Sequence, residues 1–99
     1  METYNLDKAL TIEKEQLNKI VFSDNDVLKD DLQKARRKMN LEKSEKLGNN
    51  YKSKVKIFFV TAKGELLAVE TTVWSLNSDS ISLKAGNVIP LKSIVDIEY

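Results

Sequence analysis

Apolar residues recur at two different periods along this 99-residue chain, and the change of period falls near Gly48. Before it, apolar side chains stand three and four apart, the spacing that lines one face of an α-helix. Leu6, Leu10, Leu17, Ile20 and Val21 share such a face, with Glu13 in the remaining slot, and Asn5 or Thr11 is placed to cap its start. The run Phe22-Ser23-Asp24-Asn25-Asp26 breaks the pattern. Short polar side chains of this kind accept the orphan amide protons of a new helical turn, and Ser23 with Asp26 resembles a capping box with Asp in place of Glu. A second helix is predicted from about residue 26 to about residue 47, with Leu28, Leu32, Ala35 and Met39 as its apolar seam. Lys43 and Lys46 suit its C-terminal end, and Gly48-Asn49-Asn50 supplies a left-handed residue to stop it.

After Gly48 the period becomes two, as in a strand. Val55, Ile57, Phe59 and Thr61 share one face, while Lys52, Lys54, Lys56, Phe58 and Val60 share the other. Ala62-Lys63-Gly64-Glu65 reads as a hairpin turn. Leu67, Val69, Thr71 and Val73 then alternate with Ala68, Glu70, Thr72 and Trp74. Turns at Asn77-Ser78-Asp79 and Ala85-Gly86-Asn87 frame a short strand carrying Ile81 and Leu83. Val88-Ile89 begins a fourth strand, which Pro90 confines to an edge or ends, and Ile94, Val95 and Ile97 form a last one. The expected fold class is α+β in a single domain over residues 1–99. An N-terminal helical pair (1–48) would pack on a four- or five-stranded, bent antiparallel sheet or small barrel (51–99). Ile57, Phe59, Val69, Val73, Ile81 and Ile94 are the expected core.

The β-region from Lys54 to Tyr99 resembles the small bent barrels of the Sm-like type in the order and spacing of its strands and turns. That resemblance implies a helix ahead of five strands, the last two joined by a single turn at 90–93, and RNA as the ligand such rings bind. The chain is also similar to small Bacteroidetes proteins that carry Leu-Gly-Asn ahead of a strand, then Val-Glu-Thr-Thr-Val-Trp and Ile-Pro-Leu, here at 47–49, 69–74 and 89–91. This second resemblance implies no activity.

Composition narrows the chemistry. The chain has no Cys and no His, which removes disulfides, thiolate zinc sites, a thiol nucleophile and an imidazole base. Its three glycines are isolated turn residues, so no phosphate-cradling loop is present. Asp24-Asn25-Asp26 is like the start of a calcium loop, but Leu28 and Lys29 occupy the fifth and sixth positions and break the ligand set, leaving a helix cap. Serine and threonine hydroxyls have no base to activate them. No catalytic residue, metal or cofactor is therefore expected. No basic start precedes an apolar run at the N-terminus, and no apolar run, Ile57-Phe58-Phe59-Val60 included, exceeds four residues. These features predict neither a signal peptide nor a membrane span, and a cytoplasmic location.

Charge is segregated although its total is only +1. Residues 34–56 carry nine bases against Glu42 and Glu45, between acidic flanks. Such a block is either a solvated face paired with its acidic neighbours or a surface for an anionic partner. The candidate surface comprises Arg36, Arg37, Lys38, Lys52, Lys54 and Lys56 with the aromatic Phe58 and Trp74. If the Phe58 and Trp74 face is open, it offers stacking beside cations; if the helices cover it, both rings are core. The expected function is a non-catalytic interaction module that self-associates as a homo-oligomer. The alternative is a nucleic-acid-binding small barrel acting through residues 34–56.

Overall fold

The computed structural model describes residues 4–99, which form one long helix and two sheets. The helix is α1 (Asp31–Tyr51). The strands are β1 (Leu10–Ile12), β2 (Val55–Val60), β3 (Leu66–Thr71), β4 (Val73–Leu76), β5 (Ser80–Leu83), β6 (Val88–Pro90) and β7 (Ile94–Glu98). One sheet has the order β1-β3-β2-β7 and the other β4-β5-β6. Only Thr72 separates β3 from β4, so the chain passes there from one sheet directly into the next. Neither sheet closes, and the expected barrel is not formed. The 3-10 turn Leu91–Ser93 carries the chain from β6 into β7, and the two strands do not pair.

The expected helical pair is a single helix. The segment before α1 is instead a wrap of 3-10 turns and one strand, because local side chains satisfy its backbone turn by turn. Asn5 accepts from the Asp7 amide at 3.1 Å, and Gln16 from the Glu13 amide at 2.9 Å. Between these turns β1 pairs in parallel with β3, with Leu10 opposite Leu67 and Ile12 opposite Val69. A short helix in isolation is marginal, whereas an open strand edge offers a full set of partners. Of the apolar residues assigned to a helical face, Leu17 is buried, Ile20 packs on the core edge, and Leu10 and Val21 stay exposed.

The helix begins later and ends later than its sequence pattern indicates. Asp26 caps no helix: its carboxylate accepts from the Leu28 amide at 2.9 Å in a tight turn. The N-cap is Asp30, whose side chain accepts from Leu32 at 3.2 Å. Gly48 lies inside the helix, and the left-handed residue that ends it is Lys52, at φ 54°.

The β-half follows the alternation. Ile57, Phe59, Val69, Val73, Ile81 and Ile94 are all fully buried in the main core, joined by Leu41 from α1 and Leu17 from the wrap. The Phe22 ring meets Phe59 at 5.4 Å between centroids. The opposite face of β2 is not left to solvent. Val60 packs there with Val27 and Leu28 in a second small cluster that Tyr4, Leu66 and Val95 border. No helix of the described residues is long and apolar enough to cross a membrane.

Candidate functional site

The face α1 turns to the sheets is mostly polar. Arg37, Asn40, Leu41, Ser44 and Gly48 are its buried residues, a stripe at helical spacing with one large apolar side chain. Each polar member has a specific partner. Arg37 donates from two nitrogens to the two carboxylate oxygens of Asp26, both at 2.9 Å, and to the Ile94 carbonyl at 2.9 Å. Asn40 donates to Asp96 at 2.9 Å and accepts from the Tyr99 hydroxyl at 3.2 Å. The Ser44 hydroxyl donates back to the Asn40 carbonyl at 2.8 Å. Beside the stripe, Glu45 accepts from the Leu76 amide at 2.7 Å. Among the described residues no buried side-chain polar atom lacks a partner. Polar groups can line this interface because every one is satisfied.

The consequence is an inverted helix. Leu32 and Met39 of the expected seam are 80% and 51% exposed, and Ala35 between them is exposed too. At 100° per residue these three lie on the side opposite the buried stripe. Leu28 alone of the seam is buried, and it precedes the helix.

The basic candidates are dispersed. Arg37 is buried in its pair with Asp26 and cannot meet a ligand. Arg36 reaches toward Asp96 at 3.6 Å from an exposed position. Lys38 is exposed on the helix flank, and Lys54 is exposed ahead of β2. Lys56 lies opposite Glu70 on β3 and Glu98 on β7, and its ammonium sits 5.4 Å above the Phe58 ring. Phe58 is buried, flanked in register by Ala68 and Asp96. Of the alternating lysines, Lys56 thus faces its own carboxylates, and the two aromatic candidates do not share an open face.

Trp74, by contrast, is 55% exposed. Val73 pairs with Leu83 and Ser75 with Ser82, so Trp74 has no cross-strand partner of its own. Such a bulge re-aims the side chain it carries. Trp74 lines a cleft of about 210 Å³ with Gly48, Asn49, Lys52, Thr72 and Lys84. Of the proposed surface, the fold keeps Trp74 and Lys52 together and adds Lys84, which sequence spacing gave no reason to include. Among the described residues no group of three or more Asp or Glu is placed to hold a metal ion. Comparison with known protein families, curated proteins and solved structures finds no match for the chain.

Proposed function

We propose that the protein is a non-catalytic interaction module that pairs with a second copy of itself through the outward face of α1. The observation that carries this reading is the exposure of Leu32, Ala35 and Met39 as one stripe on a rigid helix. Single exposed apolar residues are ordinary on a protein surface. Three in register at the spacing of a helix–helix seam form a surface that a second helix can cover.

Charge supports an antiparallel pairing. Asp31 and Lys38 stand one heptad apart on the same flank of the stripe. A two-fold axis through the stripe brings Asp31 of each copy beside Lys38 of the other. Arg36 on the opposite flank already has Asp96 as a counter-charge. Toward the C-terminus Lys43 and Lys46 continue the face and keep the seam to its first turns. Three side chains per copy cover much less than the roughly 800 Å² per partner of a stable interface. The dimer is therefore weak and concentration-dependent.

Sedimentation equilibrium over a concentration series tests this. The unaltered chain should rise above monomer mass at high concentration, while Lys38→Asp stays monomeric and the double exchange Asp31→Lys, Lys38→Asp regains association. A monomer at every concentration, or association indifferent to these substitutions, contradicts the reading.

A further inference from the structure

We infer that the Trp74 cleft binds single-stranded nucleic acid, one base stacking on the indole while Lys52 and Lys84 hold the adjoining phosphates. This goes beyond self-association and uses a different surface, at the C-terminal end of α1 rather than on its outward face.

Three separate features of the chain converge on the cleft. The first is the bulge, which leaves Trp74 outside the β4–β5 ladder with its ring in solvent. Burying a Trp is worth more than burying almost any other side chain, so an exposed one on a rigid strand is a ready stacking platform. The second is Lys52, the one non-glycine residue among those described with positive φ. Glycine is the usual occupant of a left-handed helix cap, and the lysine that stands there instead lines the cleft. The third is Gly48, whose missing side chain lets α1 come down directly on the Val73 carbonyl. That close approach brings the helix end, with Asn49 and Lys52, against the strand that carries Trp74.

The lining selects the ligand. It has two ammonium groups, an amide, a hydroxyl and an indole, and no carboxylate. The cavity is smaller than the roughly 300–1,000 Å³ of pockets that engulf a small molecule. It accepts one planar ring and leaves the rest of the ligand outside, which suits a base presented by a longer strand. Stacking of this kind reads the face of a base rather than its edge, so little sequence preference is expected.

Trp74 is the single tryptophan of the chain, so its fluorescence reports on this cleft alone. Titration with short oligo-dT and oligo-rU at low salt should quench it to saturation, and anisotropy of the labelled oligonucleotides should give the same midpoint. Trp74→Leu should weaken binding about tenfold, the loss of one stacked base. Lys52→Glu with Lys84→Glu should abolish it while leaving the circular dichroism spectrum unchanged. Two phosphate contacts predict a shallow salt dependence, with a log–log slope of about −1.4. Comparing the dT and rU arms tells whether the sugar matters. Absence of quenching by either oligonucleotide, equal binding by the double lysine variant, or equal quenching by polyglutamate would overturn the assignment.

Discussion

Arg37 directs three hydrogen bonds inward, two to the carboxylate of Asp26 and one to the carbonyl of Ile94. A single side chain thereby ties the loop before α1, the helix itself and β7. Bidentate pairing of this geometry is available to arginine and not to lysine. Arg37→Ala should cost about 2–3 kcal/mol in urea unfolding, and Arg37→Lys should recover little of it. That is less than for a fully buried pair, because 27% of the Asp26 side chain remains in water. Partial burial opposes the Asp26 charge, but the hydrogen bonds from Arg37 and the Leu28 amide, with the Arg37 and Lys34 charges, outweigh it and hold the carboxyl below its ordinary value. A depressed folded-state value contributes stability that is complete above the unfolded value of about 3.9 and is lost as pH falls below it. Asp26→Asn should therefore be less stable at neutral pH yet lose less stability than the unaltered chain as pH falls below the ordinary carboxylate value of about 3.9. Parallel acid-dependent losses in the two proteins would show that the pair carries no such linkage.

The elements divide by how local their determinants are. Strand alternation over 55–97 identified the face that forms the main core, but it gave no sign that Phe58, Val60 and Ala68 on the opposite face are buried as well. Gly64 takes φ 86° in the hairpin turn that its sequence predicts. The helix misled for a physical reason. Its few apolar residues mark a face, but the face that packs is chosen by partners distant in sequence: Asp26 and Asp96 for its polar groups, Val73 for Gly48. Nothing in the spacing of Arg37, Asn40 and Ser44 distinguishes a satisfied buried stripe from a solvated one. The wrap was concealed likewise, because the edge of β3 that recruits β1 lies more than fifty residues downstream. Of the candidate surface, Trp74 and Lys52 were legible as residue types, but their meeting depends on the bulge and on the late helix end. Gly48→Ala tests how closely the elements fit. Helix propensity alone favours alanine by about 1 kcal/mol. A methyl at this position would overlap the Val73 carbonyl oxygen, so we expect a net loss of about 1–3 kcal/mol by thermal melting. A gain in midpoint would mean that α1 and β4 are further apart than described.

At the scale of the whole molecule, a long charged helix is anchored to two open sheets by a satisfied polar stripe, and its apolar stripe is left outside. The interior is already closed by Leu41 and the strand residues, and Leu32 and Met39 stand outside that core. They remain available to a second copy. The orientation of α1 is thus the premise on which the self-association reading rests. It is tested most directly by urea unfolding of a Leu32→Ser, Met39→Ser double variant, at a dilution where the chain is monomeric. With both side chains outside the core, the unfolding free energy should stay within about 0.5 kcal/mol of the unaltered protein for each site. A loss of about 2–5 kcal/mol per site, the signature of truncated core residues, would mean that the helix packs on its apolar seam and that the described orientation is reversed.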